Sequence, residues 1–561
     1  MTGSARVRSS TLARRLACFA AVIAACHGAS AHADRRTVCT ITVNSPDERE
    51  TLRRRLPEDE FRFVELVERG RPDWLAAACR KGIRCDLLVV SGHFDSGTEF
   101  YSDRLGVRES LAVAEMERAT CSDSCPGVFA QLKEVYLFGC NTLNGEAVTS
   151  TTPEVERSLL RSGHAPAEAE SLARAIDRRH GESSRDHMRR IFVDVPVIYG
   201  FSALAPLGPA AAALLTRYFE SAPPGEIGSG RSSAMLLERF AAHSMIVASG
   251  LRDADPQAAY RRDVCRFVDD RLSPAQKLAF VHGLLRGDIA EVRMFLDRIE
   301  SLLASLGEGD RQAPSVARAL GAIAGDDAAR GRFLGFADDA DRPRIRARMI
   351  RVAGALGWLS PSQQRFELVR MVGDLIARNA LGTAEIELIC TLNDGRELDQ
   401  EGRRLETSPL HAGRTSNAAA LACLGDDQAR GRVLHALTGH DDQGVQLAQV
   451  YVGHRPITDV DELRAVAGGI ARMTEAGAQV RALDALAQHR LSDRQSLDQL
   501  ARLYPATRSV EVQRAIAAVF IRADDRAIAR PELARLLARY RLKSPDGKDV
   551  IDILIRRLQA S

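Results

Sequence analysis

Up to about residue 205 the chain alternates short apolar runs with charged stretches of helical spacing. Thr37–Val43 (TVCTITV) is β-branched and apolar, Asp47–Leu56 (DERETLRRRL) is charged and helical, and Phe61–Val67 (FRFVELV) alternates with the period of a strand. Asp73–Arg80 reads as a short helix. Cys85–Val90 (CDLLVV), Glu134–Phe138 (EVYLF) and Val195–Phe201 (VPVIYGF) are apolar runs of the kind buried strands show. Strand–helix–strand alternation predicts an α/β domain, a mostly parallel sheet flanked by helices, over residues 34–221.

The pattern then changes. Pro209–Glu220 reads as a helix with proline at its start, and 222–233 (APPGEIGSGRSS) has the composition of a loop. Residues 222–260 are therefore expected to be a linker and a connecting helix. From 261 to 561 only helical periodicity is found. In Asp288–Leu306, Val292, Phe295, Ile299, Leu302 and Leu306 share a face behind Asp288 as N-cap. Val550, Ile553, Leu554 and Leu558 have the same spacing near the end. GDDAARGRFL at Gly325–Leu334 is echoed by GDDQARGRVL at Gly425–Leu434, and more weakly by ADDRAIAR from Ala523. Each aspartate pair is expected to mark the turn into a helix. Short helix pairs joined this way resemble HEAT-like repeats, an all-α stacked array. Thr391–Asn417 is polar and reads as a long loop within it.

A chain of 561 residues is expected to hold several domains. Its 77 basic and 74 acidic residues nearly balance, with no long basic run, so nucleic acid is not an expected partner. The first 33 residues have the layout of a secretory signal peptide: Arg6, Arg8, Arg14 and Arg15, then the short apolar run Leu16–Ala25, then small residues at Ala29–Ala33. Ile23–Cys26 (IAAC) also resembles a lipobox, in which Cys26 would carry the lipid. The expectation is export to the periplasm or cell envelope, with membrane attachment only if Cys26 is lipidated. Beyond the signal peptide nine cysteines remain, an odd number, so at least one stays free if all pairing is intramolecular. Cys121 and Cys125 (CSDSC) read first as a disulfide clamping their loop, and second as zinc ligands with His93 and Cys140. Cys39 with Cys79 or Cys85 is a further expected bridge. No metal spacing is present among the other histidines, and His164, His180 and His187 read as surface residues.

Two strand ends carry the candidate chemistry. DLLVVSGH ends a strand in His93, and EVYLFGC ends another in Cys140. In a parallel sheet both emerge at the carboxyl edge, where ligands bind. A thiol beside an imidazole becomes a nucleophile because its thiolate is favoured. Gly92 and Gly139 are expected to keep the backbone open there. The other reading is a structural histidine and a buried thiol. Asp95 and Glu99 read either as an acidic rim for basic substrate residues or as a solvated loop.

These motifs, with a His–Cys interval of 47 residues, resemble the caspase-like cysteine peptidases of clan CD, including CHAT domains and separases. The likeness covers roughly residues 37–220. It extends to Val195–Phe219, which resembles the strand, turn and helix after the CHAT-domain cysteine strand. It implies a Cys140–His93 dyad that needs no cofactor, acting on a peptide or protein substrate, with the Phe94 and Cys140 amides binding the oxyanion. Gly139–Cys140 matches the separase-like Gly-Cys, whereas Phe94 stands where the family usually has glycine, and its ring is in a position to crowd the substrate. The expected function is an exported cysteine peptidase whose helical repeats bind a protein partner. The alternatives are a non-catalytic envelope scaffold with a degenerate domain, and a zinc-dependent hydrolase.

Overall fold

A computed structural model describes residues 35–559, except 96, 104–108, 122–124, 126, 147–151, 162, 182, 224, 341 and 406–412. The expected signal peptide and lipobox lie outside the described residues, as does part of the Thr391–Asn417 segment. The chain divides into two compact units. One runs to Val281 and includes Ala290–Arg298; the other comprises His282–Ile289 and the chain from Ile299 onward.

The first unit is α/β. Its elements are β1 (Arg36–Thr42), α1 (Asp47–Arg55), β2 (Phe61–Glu65), α2 (Trp74–Arg80), β3 (Leu87–Ser91), β4 (His93–Phe94), β5 (Glu99–Tyr101), β6 (Ser110–Ala112), α3 (Val113–Cys121) and β7 (Glu134–Phe138). There follow α4 (Thr152–Arg161), α5 (Pro166–His180), α6 (Ser184–Ile191), β8 (Val197–Phe201), α7 (Gly208–Phe219), α8 (Ala234–Arg239), β9 (Met245–Ala248) and α9 (Ala258–Val268). The main sheet has the order β2-β1-β3-β7-β8-β9, parallel throughout except for β9, which runs antiparallel to β8. Strands β4, β5 and β6 form a small antiparallel sheet immediately after β3.

Alternation along the strands divides the core in two. Leu88 and Val90 of β3 pack with Trp74 and Leu75 of α2, Met116 of α3 and Met188 of α6. Leu87 and Val89 pack with Leu52 of α1 and with Ala211, Leu215 and Tyr218 of α7. Burial on both faces explains why these strands read as continuous apolar runs.

Residues 222–260 are not a free connection. They supply α8 and the edge strand β9, and their glycine-rich start is tied down by a buried carboxylate. Glu134, 1% exposed, accepts hydrogen bonds from the Gly228 and Gly230 N–H groups (2.9 Å each) and from the Tyr136 hydroxyl (2.6 Å). The Ser233 N–H donates to the Tyr199 hydroxyl at 2.6 Å. Glycine and serine give the segment the look of a linker, but its polar backbone is paired inside the fold.

The cysteine pairing also differs from the expectation in part. Cys39 bonds Cys85, one of the two partners anticipated. Cys79 bonds Cys125 and Cys121 bonds Cys265, so CSDSC is not a local clamp. Cys121 ends α3 and is bridged to α9, while Cys125 is bridged to α2. Two of the thiolates of the alternative zinc set are thereby consumed. His180 is no surface residue either: it is 2% exposed, with Nδ1 2.8 Å from the Ile176 carbonyl and its ring edge-on to Tyr260. Nδ1 of His187 is likewise buried.

The second unit is all-helical among its described residues. Its second half forms two layers. Helices Thr415–Cys423, Asp442–His454, Ala476–Ala487, Val510–Arg522 and Val550–Gln559 pack in succession, and so do Asp427–Ala436, Val460–Ile470, Arg494–Ala506 and Arg530–Tyr540. The aspartate pairs do begin helices. Asp326 and Asp426 accept from the Ala329 and Ala429 N–H groups (3.0 and 2.8 Å), and Asp524 caps a single 3₁₀ turn. A bridge between Cys390 and Cys423 joins two helices of this unit. The expected single helix over Asp288–Leu306 is interrupted at Phe295. In the last helix Ile551 takes the buried position expected of Ile553, which is 47% exposed.

Candidate active site

Strands β3 and β7 are direct neighbours, with Ser91 in register with Phe138. His93 and Cys140 each lie two residues beyond that pair, so the period of the strands puts both on the α1/α7 face at the carboxyl edge. The Gly92 N–H donates to the Phe138 carbonyl at 3.1 Å and carries the pairing past the strand end. The two glycines serve close packing rather than open access. A Cβ on Gly139 would lie 3.0 Å from both the Gly92 carbonyl oxygen and Phe94 Cβ, and one on Gly92 would lie 3.2 Å from Val43 Cβ.

Cys140 is half-buried and is the free cysteine among the described residues. Its sulfur accepts a hydrogen bond from the Ala205 N–H at 3.3 Å. The next residue, Asn141, has a φ of 58° and donates its N–H to the Ala203 carbonyl at 2.8 Å. Thr142 is fully buried; its hydroxyl donates to the Gly139 carbonyl (3.2 Å) and accepts from the Phe201 N–H (3.1 Å). These bonds fix the cysteine turn against the end of β8.

His93 faces the same cleft. Its Nε2 lies 3.3 Å from Asp103 Oδ2 and its ring lies 5.5 Å from that of Tyr101. Asp103 is well exposed, so solvent weakens its pull on the imidazole. The cleft, about 50 Å³, runs between the β1–α1 turn (Asn44, Ser45) with Glu48 of α1 and the β8–α7 turn (Ala205–Leu207) with Gly208 of α7. Both helices begin there and their starts touch: a Cβ on Gly208 would meet the Ser45 side chain.

The Phe94 ring does not crowd the cleft. It is 5% exposed and packs in the opposite core, 4.7 Å from the Phe100 ring. The Asp95 N–H donates to the Glu99 carbonyl, so by antiparallel alternation Phe94 and Phe100 form a non-hydrogen-bonded pair. The Phe94 N–H therefore points away from β5. Asp95 and Glu99 do not line the cleft. Asp95 folds onto its own loop, accepting from the Gly97, Thr98 and Glu99 N–H groups. Burial alone would raise its pKa, but those donors and the Thr98 hydroxyl hold it below the usual carboxylate range.

Glu48 was missed in the sequence. It is 3% exposed, and burial lifts its carboxyl to about 7. DERETLRRRL offers little to mark it: Glu48 is one of several charges, and it lies on the buried side of α1 with Thr51 and Leu52.

No family model, curated protein or solved structure matches this chain.

Proposed function

We propose that the α/β unit is a caspase-like cysteine peptidase in which Cys140 is the nucleophile and His93 its acid–base partner. The observation that carries this reading is the placement of both side chains on one face, at matching positions beyond adjacent parallel strands. The Cys140 thiolate adds to a substrate carbonyl, forming a C–S bond. The Phe94 and Cys140 N–H groups receive the oxyanion. Collapse expels the amine, which takes its proton from the His93 imidazolium, and water then hydrolyses the thioester. The two-layered helices supply a HEAT-like surface for a protein partner. Four disulfides fit an oxidising compartment, and no helix among the described residues is long and apolar enough to cross a membrane. Export to the periplasm or envelope, with an anchor if Cys26 is lipidated, belongs to the same proposal.

The scaffold reading has its own support. The sulfur's partner is the Ala205 N–H and the imidazole's is Asp103, so each group is satisfied without the other. A peptidyl acyloxymethyl ketone separates the two. The peptidase forms a thioether at Cys140 that is absent in Cys140→Ala; a scaffold leaves Cys140 unmodified at probe concentrations that label ordinary thiols slowly.

A further inference from the structure

The main sheet ends at β2, which pairs with β1 and with no other described strand. The Arg36 N–H donates to the Glu60 carbonyl and the Leu66 N–H to the Thr40 carbonyl, at 2.8 Å each. Along a strand, alternate residues turn their backbone groups to the same neighbour. Arg62 and Val64 are therefore spent on β1, while the N–H and C=O of Phe63 and the Glu65 N–H face the open edge. Such an edge is a template for another strand.

Beside it lies a groove of about 430 Å³ between α1 and β2. Phe61 and Phe63 turn to the α1 side of the sheet, where they pack with Leu56. A strand added to β2 would turn every second side chain to that same side, into the groove. The charges there are unbalanced: Arg35, Arg49, Arg53 and Arg62 line it against Glu58 and Glu65. Glu65 is already satisfied by Arg49 at 2.7 Å and by the Thr40 and Thr42 hydroxyls at 3.1 and 2.6 Å. Arg35 donates to the Glu58 carbonyl at 3.3 Å and Arg62 to the Thr37 hydroxyl at 2.9 Å, so neither is spent on a carboxylate. Arg53 is exposed and has no carboxylate partner among the described residues.

We propose that this edge docks an acidic extended segment of a protein partner, which adds to β2 as a further strand and turns alternate carboxylates toward Arg53 and its neighbours. Main-chain hydrogen bonds to Phe63 and Glu65 set the register, and guanidinium–carboxylate pairs select acidic side chains. The proposal stands apart from the peptidase reading, since β1 and β3 separate β2 from the strand that leads to Cys140.

The full chain, disulfides intact, is titrated into a fluorescein-labelled octapeptide of alternating glutamate and valine, and binding is followed by anisotropy. Saturable binding is expected, with none for alternating lysine and valine. Arg53→Glu should weaken it about tenfold or more. Arg490→Glu, exposed in the helical unit, makes the same change in net charge and should leave it unaltered. N-methylation separates strand addition from charge alone. In an extended peptide the valine and glutamate N–H groups lie on opposite edges. Of two peptides, one methylated at every valine nitrogen and one at every glutamate nitrogen, one should bind and the other should not. Hydrogen exchange at the Phe63 and Glu65 amides should be fast in the free chain and slow with the peptide. The proposal is overturned by no saturable binding up to about 1 mM, by equal losses in Arg53→Glu and Arg490→Glu, or by equal affinities of the two methylated peptides. Slow exchange at Phe63 and Glu65 before peptide is added also overturns it, and in a dimeric chain gives the edge to a second copy.

Discussion

Replacing Glu48 by glutamine should change how the stability of the α/β unit depends on pH. Glu48 titrates near 4.5 when unfolded and near 7 in the fold, where burial disfavours its charge. Between these values the native state keeps a proton that the unfolded state has released, so stability falls as pH rises through this window and then levels off. A difference of roughly 2.5 units at about 1.4 kcal/mol per unit makes the loss about 3 kcal/mol. His180 acts in the opposite sense. Burial lowers it from 6.5 to about 4, so stability rises with pH across that range, and the wild-type curve alone conceals both effects. The difference between wild type and Glu48→Gln isolates the carboxyl. Trp74 and Trp358 are the only tryptophans. In a Trp358→Phe background, fluorescence of Trp74, buried in the α/β core, reports urea unfolding of that unit with disulfides intact. Glu48→Gln should gain about 3 kcal/mol on the wild type between pH 4.5 and 8. A difference that stays constant to within about 0.5 kcal/mol refutes the burial argument.

Two further perturbations bear on the frame around the cleft. The Cys121–Cys265 bridge spans 144 residues, and Cys121→Ser/Cys265→Ser should lose about 4 kcal/mol by the Trp74 assay; a loss under about 1 kcal/mol contradicts its cross-linking role. Gly139→Ala puts a Cβ 3.0 Å from the Gly92 carbonyl and Phe94, so it should cost about 1–3 kcal/mol and slow Cys140 alkylation; unchanged stability and rate would show that the strand ends yield freely.

The sheet was legible because its strands are buried on both faces and therefore unbroken apolar runs. The same runs put His93 and Cys140 at strand ends, and the adjacency of β3 and β7 made them neighbours. What the sequence concealed arises from contacts distant along the chain. Cys121 and Cys125 are four positions apart, yet α9 and α2 hold their partners. The glycine-rich 222–233 segment resembles a linker until Glu134, distant in sequence, is seen to accept its N–H groups. His180 sits in a polar stretch, and only the packing of α5 against Tyr260 buries it. Glu48 left little trace among the charges of DERETLRRRL, and only the packing of α1 buries it with Thr51 and Leu52 and sets it in the cleft lined by His93 and Cys140.

The central claim is that His93 activates Cys140, and alkylation of Cys140 by iodoacetamide at pH 7, mapped by mass in wild type and His93→Ala, tests it most directly. The native disulfides stay intact throughout, and Trp74 fluorescence verifies the fold. Loss of the imidazole should slow Cys140 alkylation about tenfold or more, because less thiolate is present. Equal rates in the two proteins would contradict the account and leave the helical scaffold as the better reading.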